Sequence, residues 1–185
     1  MATIVCFGEI LLRLAAPGLE SLLRTPRLAV HVGGAEANTG ISLACLGHHA
    51  RIVSTLPDNH LGDACLGELR RYGADTAGVT RGAGRMGLYF YTAPAQWRAA
   101  QVIYDRAGSA FSLAGPAAYD WEELLQDAHW LHVSGITPAL GDTALGTLRG
   151  AVAAARARQV RISFDCNLRP ALWQGRERQA AGVLR

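Results

Sequence analysis

The chain has 185 residues, half of them hydrophobic, with a formal net charge of +3. That is enough apolar sequence for one domain with a real core, and it excludes a disordered chain. All 18 basic residues are arginine, which removes Schiff-base, Walker-A and protein-kinase lysine mechanisms at once, and the small, scattered charge gives no argument for a nucleic-acid partner.

Thr3 to Phe7 is a continuous apolar run, as in a parallel strand covered on both faces. Leu11 to Leu14 and Arg27 to Val32 read as short strands around a Pro17-Gly18 turn. Ala37 to Leu46 reads as a helix with Ala37, Ile41, Ala44 and Cys45 inward and Gly47 as its stop. Arg51 to Leu56 follows as a strand. Leu61 to Tyr72 is expected to be a helix with Cys65, Leu66, Leu69 and Tyr72 on its inner side. A short strand is expected over Thr76 to Thr80, then a hairpin of Gly87 to Thr92 and Gln101 to Asp105. Tyr119 to Gln126 reads as a helix, Trp130 to Ser134 as a strand, Thr143 to Ala157 as an alanine-rich helix and Val160 to Asp165 as a strand. A last helix is expected over Arg176 to Leu184. Strands alternating with helices predict an α/β fold with a mostly parallel sheet.

Four widely spaced cysteines, Cys6, Cys45, Cys65 and Cys166, form no Cys-x-x-Cys motif. They read as buried, reduced thiols of a cytoplasmic protein. The start of the chain lacks the pattern of a signal peptide. No stretch approaches the roughly 18 apolar residues of a membrane helix, so no membrane partner is expected. Gly82 to Gly87 fits Gly-x-Gly-x-x-Gly, but a strand follows where a dinucleotide site needs a helix, so it reads as a connecting loop. His129 and His132 fall on opposite faces of a strand and make no metal pair, and His48-His49 reads as a surface turn.

The chemistry gathers elsewhere. Val32-Gly33-Gly34-Ala35-Glu36-Ala37-Asn38 ends an extended run and opens a helix. Glycines admit close backbone approach, a helix start offers unpaired N–H groups, and Asn38 adds an amide one turn in. Such a set suits a polyol. Asp165-Cys166-Asn167-Leu168-Arg169 ends a buried strand, where ligands bind in open parallel sheets, and so brings Asn167 and Arg169 toward a substrate. Tyr104-Asp105-Arg106 ends the hairpin. Two arginines, Arg106 and Arg169, converging on one pocket would suit an anion, because guanidinium pairs with carboxylate through two hydrogen bonds and keeps its charge.

The glycine segment resembles the first signature of the ribokinase-like (PfkB) carbohydrate kinases. Gly87-Leu88-Tyr89, Tyr104-Asp105-Arg106, Leu131 to Leu140 and Asp165 to Arg169 are most similar to the 2-keto-3-deoxygluconate kinase branch, from about residue 3 to the end of the chain. The resemblance implies a ribokinase-like fold: a core of 1–10, 33–85 and 107–185, and a small antiparallel β-sheet lid of 11–32 and 86–106 that also makes a homo-oligomer contact. It implies substrate binding by Gly33, Gly34, Asn38, Tyr89, Tyr104, Arg106, Asn167 and Arg169. The implied reaction moves the γ-phosphoryl of ATP, with Mg²⁺, to a hydroxyl of a sugar acid. Fructokinase-like ketose phosphorylation, or a non-catalytic sugar-binding or dimerising module, are the alternatives.

Two departures from the family pattern matter. The turn after the second main strand reads Pro57-Asp58-Asn59-His60-Leu61-Gly62, with proline for the first glycine and asparagine for the acid. The family's second signature, a Gly-Ala-Gly-Asp segment that supplies the catalytic base and the anion-binding N–H groups, has no counterpart up to Arg185. No catalytic or metal-binding residue is therefore expected within the 185 residues, and the chain alone is expected to be inactive as a kinase.

Overall fold

The structure is a computed structural model describing residues 1–183. Five parallel strands form the main sheet in the order β5-β4-β1-β8-β9: β1 (Thr3–Phe7), β4 (His49–Pro57), β5 (Val79–Gly82), β8 (Trp130–Ser134) and β9 (Arg161–Asp165). Four others, β2 (Leu11–Ala15), β3 (Ala29–Gly33), β6 (Gly87–Thr92) and β7 (Gln101–Asp105), form a second sheet in the order β3-β2-β6-β7. The helices are α1 (Ala35–Cys45), α2 (His60–Arg71), α3 (Ala110–Leu113), α4 (Trp121–Leu124), α5 (Asp142–Ala157) and α6 (Glu177–Val183). None among the described residues is long and apolar enough to cross a membrane.

Period-2 alternation in β1 explains the two-sided core. Val5 and Phe7 face α3, α4 and α5, where Phe7 packs against Phe111, Tyr119 and Trp121 with ring centroids 5.4, 5.2 and 5.0 Å away. Ile4 and Cys6 face the opposite way, toward Ile52, Leu56, Cys65, Leu66 and Leu69. Both faces are covered, which is why the strand is continuously apolar.

Several expectations change. The second sheet is mixed rather than antiparallel: β2–β3 and β6–β7 are antiparallel, but β2 and β6 run parallel. Between β3 and β6 the chain returns to the main sheet and builds α1 through β5, so β2 and β6 meet as strands of separate excursions. β5 begins at Val79, not Thr76. The Asp75 carboxylate accepts from the Ala77 amide and Val79 donates to the Thr76 carbonyl, and this turn delays the strand. The helix expected over Tyr119 to Gln126 shrinks to α4, because Tyr119 is extended and Asp120 caps the Glu122 and Glu123 amides. The fully buried residues of α1 are Glu36, Ala37 and Gly40; Ile41 packs against the same core while half-buried, Ala44 is half-buried, and Cys45 is exposed rather than inward. Gly40 lies so close to Ile52 that a Cβ would meet its methyl at 2.3 Å.

Tyr72 lies at the end of α2 and is exposed, with the Arg71 guanidinium over its ring. Cys45 and Cys166 are exposed, and only Cys6 and Cys65 are buried. Cys45 ends α1 beyond its last buried residue, Gly40, and Cys166 follows β9, an edge strand that is half-buried to exposed rather than buried as expected. His49 is not in a turn: it starts β4, pairs with Thr3 and lies 3.3 Å from Asp75. Leu184, the last residue of the final expected helix, lies outside the described residues. Asn59 caps α2, accepting from the Leu61 and Gly62 amides. The Gly82–Gly87 segment links β5 to β6 as a connection.

Candidate functional site

The turn between β3 and α1 and the loops at the carboxyl ends of β8 and β9 meet the inner face of the second sheet, beside the place where open parallel sheets bind ligands. Between them lies a cleft of about 440 Å³. It is lined by Gly34, Asn38, Tyr89, Tyr104, Arg106, Asn167 and Arg169, seven of the eight residues expected from the sequence. Gly33 stands just behind, at the end of β3, where a Cβ would be 3.9 Å from the Asn38 amide oxygen. No lining residue is a carboxylate.

Each part has a local cause. Gly34 crosses so close to β1's exit that a Cβ would sit 2.4 Å from the Glu9 carbonyl oxygen; only glycine fits. The first α1 turn follows directly, with the Asn38 amide donating to the Gly34 carbonyl at 2.8 Å, and this sets Asn38 at the cleft. Tyr89 and Tyr104 are cross-strand partners of β6 and β7, so their rings share a face, with centroids 6.1 Å apart. Asn167 and Arg169 leave β9 on a loop fixed by a short helical turn, Pro170–Leu172, and by the buried indole of Trp173, on which the Arg176 guanidinium stacks.

Beneath the cleft lies a buried polar network absent from the sequence-based reading. Arg106, 8% exposed, donates from Nε to Glu9, which is 2% exposed. Glu36, also buried, accepts from the Ser134 hydroxyl at 2.5 Å and from Thr137 at 3.5 Å. Burial raises the Glu36 carboxyl above its ordinary value, against the opposing pull of its hydrogen bonds and of Arg106. Burial, with Glu36 adding, pushes the Cys6 thiol up to about 12, so it is an inert thiol. Glu36 reaches this place because Gly8 has no side chain: a Cβ there would lie 2.1 Å from the Glu36 carboxylate.

Weak signals for these acids exist in the sequence. Glu9 stands at the carboxyl end of an apolar strand, and Glu36 shares an inward helix face with Gly40. Arg13 was also missed; it lines the cleft from β2. Among the described residues, no group of three or more His, Cys, Asp or Glu side chains is gathered as a metal site.

Comparison with known proteins agrees with this architecture. A family profile described as pfkB family carbohydrate kinase matches residues 1–184. A crystal structure of 2-dehydro-3-deoxygluconokinase from Thermotoga maritima is 42% identical with a TM-score of 0.95, covering 100% of this chain and 56% of that one. A 2-dehydro-3-deoxygalactonokinase from Haloferax volcanii is 34% identical over 93% of this chain and 54% of its own length. Fructokinase-1 of Oryza sativa is 34% identical over 98% of this chain and 56% of its own. The chain thus spans about half the length of the curated relatives it matches.

Proposed function

The chain belongs to the pfkB family of carbohydrate kinases, and from that premise we propose that it carries the sugar-holding part of a kinase for a sugar acid such as 2-keto-3-deoxygluconate. The donor would be ATP, as family membership implies. The observation carrying this reading is that Arg106 and Arg169 line one cleft whose lining holds no carboxylate, the Glu9 partner of Arg106 lying beneath it. A neutral ketose needs hydroxyl partners only; a sugar acid needs cations. The glycine turn and Asn38 offer the polyol backbone and amide groups, and Tyr89 and Tyr104 offer an aromatic wall with hydroxyls.

Phosphoryl transfer needs a base for the attacking hydroxyl and charge stabilisation at the phosphoryl group. No carboxylate lines the cleft to serve as that base. Binding without turnover is therefore the activity assigned to these 185 residues, and ADP release with Mg-ATP is expected to be absent. The second sheet acts as a lid over the sugar, in the division 11–32 and 86–106. Its outer face carries an apolar row across all four strands, Val30, Leu14, Phe90 and Ile103, which fits a contact between copies of the chain. The cytoplasm, where ATP is supplied, is the compartment this reading assigns.

Calorimetry tests the substrate. The chain should bind 2-keto-3-deoxygluconate well ahead of fructose, and Arg169→Ala should weaken the acid roughly ten- to hundredfold. Equal loss of fructose would replace the sugar acid with a ketose, the reading favoured by the likeness to the rice fructokinase.

A further inference from the structure

Three guanidinium groups line the cleft, and they are not equivalent. Arg106 is buried and its charge is already met by Glu9. Arg169 is exposed and has no ion pair among the described residues. The third is Arg13. Strand register sets it in one cross-strand row with Tyr89 and Tyr104: Arg13 pairs with Tyr89 across β2 and β6, and Tyr89 with Tyr104 across β6 and β7. Cross-strand partners share a face, so Arg13 belongs to the cleft wall with both tyrosines.

Its partners are unusual for a half-buried arginine. The guanidinium carbon lies 5.9 Å from the Tyr91 ring centroid. It makes no hydrogen bond or ion pair to any described residue, and its Nε is buried without a partner. Arg51, Arg81, Arg85, Arg98 and Arg176, by contrast, all donate to carboxylates, hydroxyls or carbonyls. Keeping Nε off water without a partner is costly unless a bound group matches it. The Tyr91 ring beside the group leaves the two terminal amino groups without a protein partner, the donors that take a carboxylate through paired hydrogen bonds.

We propose that Arg13 is a specificity-determining residue of the cleft: with Arg169 it binds the carboxylate of the sugar acid, while Arg106, held by Glu9, serves as a charge-compensated donor. This rests on the sugar-acid reading above. It moves the anion-selecting charge from the hairpin end to the centre of the second sheet.

The test is calorimetric titration of the 185-residue chain and its Arg13→Gln, Arg13→Lys and Arg169→Gln variants with 2-keto-3-deoxygluconate and with fructose, folding being checked by circular dichroism. Arg13→Gln should weaken the acid about tenfold and leave fructose within about twofold. Arg13→Lys should recover part of the loss, because it restores charge without the planar fork. If Arg13→Gln leaves the acid unchanged, or weakens acid and fructose equally, the inference fails. If in that case Arg169→Gln still discriminates against the acid, the sugar-acid reading stands without Arg13. If the unaltered chain binds no sugar acid, reading and inference fall together.

Discussion

The two sheets divide the work of this molecule. In the main sheet β1, β4 and β8 are buried almost throughout, with helices or packed side chains on both faces. In the second sheet β6 is half-buried and β7 largely exposed. The first has apolar side chains on both faces; the second turns Arg13, Tyr89 and Tyr104 to the cleft and Val30 and Ile103, 58% and 57% exposed, to solvent. Area removed from water drives folding, so stability concentrates where both faces are covered. A sheet with an open face is free to carry groups chosen for a ligand. The seam between the two is the Glu9–Arg106 pair, which ties the exit of β1 to the end of β7.

Substitutions can break that comparison or sharpen it. Phe7→Ala removes the ring around which Phe111, Tyr119 and Trp121 pack, and should cost about 3–5 kcal/mol in urea unfolding. A cost below about 1 kcal/mol would end the claim that stability sits in the main sheet. At the seam, Glu9→Ala leaves the buried Arg106 without its ion partner. A loss of about 3 kcal/mol is expected, with weaker sugar-acid binding as Arg106 loses its place. Unchanged stability would mean that the second sheet folds without this tie.

A pH series probes the same seam more gently. Glu36 has its carboxyl raised by burial, so the native state holds the proton more tightly than the unfolded chain. Stability from this group is full below the unfolded carboxyl's value, falls as pH rises through the raised native value, and is flat beyond it. Glu36→Gln, whose amide oxygen can still accept from Ser134, should therefore gain in melting temperature relative to the parent as pH rises from about 4 to about 8. A gain that shrinks with pH would show that Glu36 is stabilised as a carboxylate. The smallest effect on folding is expected at the outer face: Ile103→Asp should change stability by no more than about 0.5 kcal/mol. It should nevertheless shift the chain toward monomer in light scattering. A large loss of stability there would make the second sheet part of the core.

Much of this was legible in the chain. β1, β6, β7 and β8 have the expected bounds because each is a compact apolar or alternating run between turn signals. The cleft residues were legible for a related reason. Gly34 and Asn38 sit at a strand-to-helix turn marked by a glycine pair, and Asn167 and Arg169 follow the carboxyl end of a parallel strand, where open sheets leave a crevice. Where local chemistry competed with periodicity, the reading slipped: the Asp75 turn shortened β5 at its start, and the Asp120 cap shortened α4.

What the sequence determined by itself is the alternation of strands and helices, the glycine turn and the supply of arginines without lysines, since these follow from side-chain period, backbone freedom and composition. The partners were decided only in three dimensions. Glu9 meets Arg106 across 97 positions and Ser134 meets Glu36 across 98, because the exit of β1 meets the end of β7 in the other sheet and the first turn of α1 meets the end of β8. The parallel pairing of β2 with β6 likewise depends on two separate excursions meeting, and that register sets Arg13 beside Tyr89. Hydrophobic period is a local property, legible residue by residue; charge compensation depends on which distant residue fills the neighbouring space, and only packing settles that.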